Sequence, residues 1–174
     1  MEEVFDIYTR NGEYIGTELK SICHSKNPRG YHKPVWIWII NSNNEILVQK
    51  RAANKKNHPN KWDMPSAGHV VAGETSIQGA IRETFEELGI QTKESDYKFV
   101  FEYIQDKSFE IAQVYLLKIN LDISKLNLQK EEVSEVKWVK LDEFKEMIFS
   151  DKWCPYTDDY KEKVIEKFEK KFKN

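Results

Sequence analysis

The sequence predicts a single α/β domain, and three observations carry that expectation. The chain has 174 residues, the length of one domain with one sizeable core. Strand-like apolar runs occur in both halves of it. Among them lie stretches whose apolar residues recur at helical spacing, the strongest near the middle and two more at the end.

The elements follow in order. Residues 4–8 and 13–16 flank Arg10-Asn11-Gly12, and an Asn-Gly pair between alternating apolar residues favours a β-hairpin. Residues 34–40 and 45–50 bracket Asn41-Ser42-Asn43-Asn44 as a second strand, turn and strand. Strand alternation sets Trp36 and Trp38 on one face and Val35, Ile37 and Ile39 on the other. Residues 52–61 are polar and basic, turn at Pro59-Asn60, and lead as an ordered loop into Trp62-Asp63-Met64-Pro65. Over residues 76–88, Ile77, Ile81, Phe85 and Leu88 form a helical stripe that Gly89 ends. Strands are expected at 97–104, 111–119 and 133–139, and helices at 142–149 and 160–172. The last helix carries Ile165, Phe168 and Phe172 on one side, an ordinary stripe for docking on the domain's own core.

Composition excludes several function classes. Lysine and arginine number 27 against 29 acidic residues, so the net charge of -2 gives no broad footprint for a nucleic-acid polymer or an anionic membrane. The longest apolar run, residues 35–40, is far too short to span a bilayer, and the acidic opening lacks the features of a signal peptide. A cytoplasmic protein is expected. Cys23 and Cys154 form no metal-type cluster and are read as free, packed thiols.

Chemistry concentrates between Gly68 and Ile90. On the central helix Glu83, Glu86 and Glu87 stand at i, i+3 and i+4, which gathers three carboxylates on one face, roughly opposite Ile77, Ile81 and Phe85. Like charges so placed repel by a few tenths of a kcal/mol per pair, and hard oxygen donors suit Mg²⁺ or Mn²⁺. A solvated acidic face partly neutralised by Arg82 is the plainer reading of those three residues alone.

The wider pattern is more specific. Gly68, Glu74 after five residues, Arg82-Glu83 after seven more, and then Glu86-Glu87-Leu88-Gly89-Ile90 match G-x5-E-x7-R-E-U-x-E-E-x-G-U, with Thr84 where a bulky aliphatic residue is usual. This resembles the Nudix box. The resemblance implies an α/β/α sandwich, a mixed sheet flanked by helices. It also implies that Glu83, Glu86 and Glu87 bind a divalent metal, with Gly68 allowing close backbone approach and Glu74 pairing with Arg82 to hold the acidic face rigid. Glu110, opening a strand, stands where related enzymes often keep a further Glu that binds metal or acts as base, and Glu86 is the rival base. A threonine methyl at position 84 can still face the core.

Around the box, Gly30-Tyr31-His32, residues 47–51, residues 59–63 and Ala67-Gly68-His69 look like the branch that includes isopentenyl-diphosphate isomerase and diphosphate hydrolases. The isomerase relies on a cysteine directly before the box glycine, and here that residue is Ala67, which removes the acid–base partner and turns the reading to hydrolysis. It also holds a metal with three His and two Glu; this chain offers His24, His32, His69 and Glu110, with Ser108 near the place of the other Glu. Scattered histidines more often make hydrogen bonds than bind metal, so His24 and His32 are first read that way, and His69 is left open. Residues 131–136 before Trp138 resemble the hydrolase members, and an edge strand guarded by charge is the plain alternative.

Among Lys50, Arg51, Lys55, Lys56 and Lys61, Arg51 is the chosen contact to substrate phosphate, and the lysines of the loop are read as solvated. Tyr31, Trp36, Trp62 and Tyr103 are candidates to stack on a base or hold an apolar group, against the commoner use of aromatics in the core or its rim, and no base-reading pattern is visible. The expectation is a Mg²⁺- or Mn²⁺-dependent hydrolase of a small diphosphate compound, with homodimer formation left open. Isomerisation and non-catalytic binding of a nucleotide or diphosphate are the alternatives.

Overall fold

The computed structural model describes residues 2–173. Apolar side chains at consecutive positions can be covered only where both faces of a strand are packed. That is the state of strand β3 (Pro34–Ile40), in which all seven residues are buried. The other strands are β1 (Val4–Tyr8), β2 (Tyr14–Leu19), β4 (Ile46–Arg51), β5 (Trp62–Asp63), β6 (Ser66–His69), β7 (Tyr97–Gln105), β8 (Glu110–Lys118) and β9 (Val133–Val139). The helices are α1 (Lys20–Cys23), α2 (Ser76–Leu88), α3 (Leu141–Ile148) and α4 (Asp158–Lys173).

β1 and β2 make the expected hairpin, with Val4 opposite Leu19 and Tyr8 opposite Tyr14. The larger sheet runs β5-β4-β3-β8-β7, with β6 alongside β3 and β9 alongside β4. β3 is antiparallel to β4 and β6, whereas the bridge from His32 to Glu110 is parallel, so both strand directions occur. β6 has no strand signature, because Ser-Ala-Gly-His offers no β-branched or aromatic residue; it is a strand through its pairing with β3. Among the described residues, no helix is long and apolar enough to cross a membrane.

Contacts divide the chain into two compact units: residues through Ile37 with Ser66–Phe85 and Gln91–Leu116, and Trp38–Pro65 with Glu86–Ile90 and the chain from Leu117 onward. In the first, Phe5, Ile7 and Cys23 form a buried cluster with Val71 against it. In the second, Trp38 packs edge-on against Phe144 and Phe168 and stacks on Trp153, while its indole N–H donates to Tyr160 Oη at 3.1 Å. α4 buries Tyr160, Val164 and Phe168, so it does dock on the core, with Val164 rather than Ile165 in the inward row. Cys23 and Cys154 are both buried free thiols.

α2 has the expected ends but a different inward face. Its fully covered residues are Ala80, Thr84 and Leu88, with Glu87 only 8% exposed, whereas Phe85 is 52% exposed. The 77–81–85 row lies one position off the packed 80–84–88 row, a turn of about 100° around the axis. Thr84 is fully buried and satisfies its hydroxyl on the Ala80 carbonyl at 2.8 Å. Gly89 ends the helix at φ 69°, and a side chain there would meet Asn127 within about 3 Å.

Candidate active site

Two groups of side chains have the makings of chemistry. The first is the segment from β6 into α2. β6 lies beside β3 with Gly68 opposite Val35, and α2 then returns so that the Glu83 carboxylate rests on Gly68. A Cβ at Gly68 would stand 1.9 Å from Glu83 Cδ and 2.2 and 2.3 Å from its oxygens, so this approach requires glycine.

Arg82 fixes the same region. Its guanidinium grips both oxygens of Glu74, Nε to Oε1 at 2.9 Å and Nη2 to Oε2 at 3.0 Å, and also donates to Glu83 Oε1 at 2.7 Å and to the His69 carbonyl at 2.8 Å. Glu74 Oε2 further accepts the Val71 N–H at 3.1 Å. These hydrogen bonds, chiefly those from Arg82, hold the Glu74 carboxyl below the usual carboxylate range, and Glu74 in turn raises Arg82. The expected Glu74–Arg82 pair is therefore present. Farther along the same helix Glu86 is exposed and Glu87 is buried.

The second group comes from four places in the sequence. His24 ends α1, His32 precedes β3, His69 ends β6 and Glu110 opens β8; one donor atom from each lies within 4.8 Å of the others. His24 Nε2 and His32 Nε2 are 3.2 Å apart, and His32 Nε2 is 3.6 Å from Glu110 Oε1. Burial, reinforced by the other histidines, pushes His69 down to about 2, and burial lowers His24 as well, so both favour the neutral, lone-pair-bearing state. His24 and His32 stand at hydrogen-bonding distance, as the sequence reading expects, and the fold brings His69 and Glu110 to the same place.

This donor set fits a divalent ion. Two Nε2 atoms at 3.2 Å repel through their lone pairs unless a proton or a cation lies between them, and His32 Nδ1 is buried without a hydrogen-bond partner. Phe5 covers the group from the hairpin, its ring stacked on His69 at 4.8 Å and on His32 at 5.4 Å. Nothing in the sequence marks Phe5 apart from any other inward residue of an alternating strand. Gln105, which donates to Glu110, carries no signal either.

Arg51 belongs to the second unit. Its guanidinium meets Asp63 Oδ2 at 3.4 Å and the Asn57 carbonyl at 3.3 and 3.1 Å, ordering the 52–61 loop, so a phosphate contact would be additional to these. Among the lysines, Lys55 pairs with Glu132 and Lys61 with the Asp151 carbonyl, and Lys56 is exposed. Asp63 is buried and also accepts from the Met64 N–H at 2.8 Å and the Tyr156 hydroxyl at 3.1 Å.

Comparison with known proteins gives a consistent setting. Residues 30–158 match the model of the NUDIX domain. The chain is 34% identical over 157 residues to an uncharacterized Nudix hydrolase of Listeria monocytogenes, covering 90% of both proteins. It is 35% identical over 165 residues to Nudix hydrolase 3 of Arabidopsis thaliana, covering 84% of this chain but only 20% of that longer protein. An isopentenyl-diphosphate Delta-isomerase of Cutibacterium acnes is 31% identical over 140 residues, covering 74% of this chain and 69% of that protein. Among solved structures, DR0079 from Deinococcus radiodurans superposes with a TM-score of 0.73 at 18% identity, over 97% of this chain and 98% of that one, a likeness of fold.

Proposed function

The chain belongs to the NUDIX family, and we propose that it is a divalent-metal-dependent hydrolase that cleaves the phosphoanhydride bond of a small diphosphate compound by water attack. The observation that carries this reading is the Gly68–Ile90 motif in its folded form: Gly68 is pressed against Glu83, and Arg82 is locked between Glu74 and Glu83. An acidic helix face that only faced solvent would need neither the missing Cβ nor the clamp.

Glu83, Glu86 and Glu87 would hold a Mg²⁺ or Mn²⁺ ion, and the contact between Glu83 and Gly68 gives that carboxylate a fixed place. When bound, such an ion neutralises phosphate charge and lowers the pKa of a coordinated water. Arg82 and Glu74 orient Glu83 through their shared hydrogen bonds. Glu86, exposed on α2, takes the role of base. Glu110 is drawn away from that role, since its Oε2 accepts from Gln105 and Ser108 and its Oε1 faces His32. His24, His32, His69 and Glu110 would hold a second divalent ion. Isomerisation is disfavoured because the methyl of Ala67, on β6, has no proton to exchange.

A phosphate-release screen tests the reading. Purified protein is offered nucleoside triphosphates, sugar nucleotides, dinucleotides, coenzymes and isoprenoid diphosphates with Mg²⁺ or Mn²⁺, alongside Glu87→Gln. Cleavage that needs the metal and is lost in the variant is the expected result. Uptake of solvent deuterium into an isoprenoid diphosphate without phosphate release would overturn it in favour of isomerisation.

A further inference from the structure

We propose that Ser108 and Gln105 are positioning residues that decide which oxygen of Glu110 is given to the histidine cluster. The proposal rests on the reading of His24, His32, His69 and Glu110 as a divalent-ion centre.

A carboxylate on a flexible stem can offer either oxygen, or both, to a cation. Glu110 does not have that freedom. Its Oε2 accepts two hydrogen bonds, from Gln105 Nε2 at 2.8 Å and from Ser108 Oγ at 2.9 Å, while Oε1 is the atom turned to His32 Nε2 at 3.6 Å. Two donors arriving at one oxygen from different residues fix the rotation of the carboxylate plane. They reserve Oε1 as a single-oxygen ligand.

The donors are held in place by the turn that carries them. Asp106 accepts from Arg10 Nε at 2.7 Å and Nη2 at 3.0 Å and from the Tyr31 hydroxyl at 2.7 Å, which ties the β7–β8 turn to the hairpin and to the residue before His32. Phe109 adopts φ 54°, a left-handed conformation costly for a side chain of that size, and its carbonyl receives the His32 N–H at 3.0 Å. The next link runs the other way, from Ile111 N–H to the His32 carbonyl at 2.9 Å. Backbone bonds thus register Glu110 against His32, and side-chain bonds then set the carboxylate. The Ser108 hydroxyl reaches Glu110, the carboxylate of the described donor group. It acts on the ion through Glu110 rather than by contact.

The test is Co²⁺ binding by the chelator-stripped full chain, with excess Mg²⁺ present to occupy carboxylate-only sites, measured by competition with a chromophoric chelator and by the visible Co²⁺ spectrum. Loss of groups that orient a metal ligand typically weakens affinity by about 10- to 100-fold. Ser108→Ala and Gln105→Leu should each weaken Co²⁺ binding by about 10-fold and together by about 100-fold. Ser108→Thr, which keeps the hydroxyl, should stay near wild type. The visible band should weaken in the double variant, where neither donor holds Oε2 and it is free to turn toward the ion and raise its coordination number. Melting temperature in chelator should hardly move, since Ser108 is exposed.

Wild-type affinity and spectrum in the double variant, with binding lost in Glu110→Gln, would overturn the positioning role while leaving the metal centre standing. Indifference of Co²⁺ binding to Glu110→Gln itself would overturn the metal-centre reading, and the positioning proposal with it. If Ser108→Ala failed to fold, Gln105→Leu with its own spectrum would decide the question.

Discussion

The ring of Phe5 lies almost flat on the imidazole of His69, with centroids 4.8 Å apart and planes 12° from parallel. Phe5 comes from the opening strand and His69 from the strand before the acidic helix, so the hairpin closes over the histidines. Because Phe5 is fully buried, Phe5→Ala should cost about 3–5 kcal/mol of stability, the usual range for emptying a phenylalanine site. A denaturant melt in chelator reads this, and Phe5→Leu should recover most of it. Equal stability of Phe5→Ala and wild type would show that the ring is not packed as described.

Gly68→Ala should separate the motif's geometry from its charge. The new methyl would demand the space held by the Glu83 carboxylate, so Glu83 must move. Metal-dependent phosphate release should fall on the order of 100-fold, as for other displaced metal-site geometry, while all three glutamates remain. Full activity in Gly68→Ala would contradict the proposed role of Glu83 as a metal ligand.

Arg82→Lys keeps the positive charge but loses the planar fork that grips Glu74, Glu83 and the His69 carbonyl together. We expect activity to drop by about 10-fold or more, by the scale seen when groups supporting metal ligands are removed. A kinetic comparison at saturating Mn²⁺ checks it; rescue by Lys would mean that charge alone suffices.

Asp63 gives a pH dependence whose sign follows from burial. Desolvation raises its carboxyl above the ordinary value, outweighing the lowering by Arg51. A carboxyl raised in the folded state contributes stability that is present below its unfolded pKa of about 3.9 and is lost as pH rises through the folded value. Asp63→Asn should therefore flatten the part of the stability profile above about pH 4. Asp63→Ala should cost about 3 kcal/mol at neutral pH, because Arg51, the Met64 N–H and the Tyr156 hydroxyl all lose an acceptor. Urea melts from pH 4 to 8 compare the three, and parallel profiles for wild type and Asp63→Asn would contradict the sign.

In the second unit, Tyr160→Phe removes the partner of the Trp38 indole N–H, which is buried at a 2% exposed residue. An unsatisfied buried donor costs about 1–3 kcal/mol, and thermal unfolding should show a corresponding loss. No change would mean that the N–H finds another acceptor.

Much of the architecture was legible because it is local. The ends of α2 and β9 follow from periodicity, flanking glycine and β-rich composition, and the Glu74–Arg82 pair is what the resemblance of the motif implies. Periodicity chose the wrong inward row on α2, since 77–81–85 and 80–84–88 are neighbouring rows and the more apolar one is the more exposed near Phe85. α1 and β6 leave no signature in the sequence for a different reason: four residues are too few to display a period.

By itself the sequence determined the residues of the box, a glycine, a Glu and Arg pair and an acidic helix face within 23 residues, most of them placed by the geometry of one helix. Tertiary structure alone decided the histidine centre. His24 and His32 are near neighbours in sequence, but His69 and Glu110 are remote from them, and the meeting of α1, the entry to β3, the end of β6 and the start of β8 brings their donor atoms within 4.8 Å. Such convergence is set by strand pairing and register, interactions between remote segments that local residue patterns do not encode.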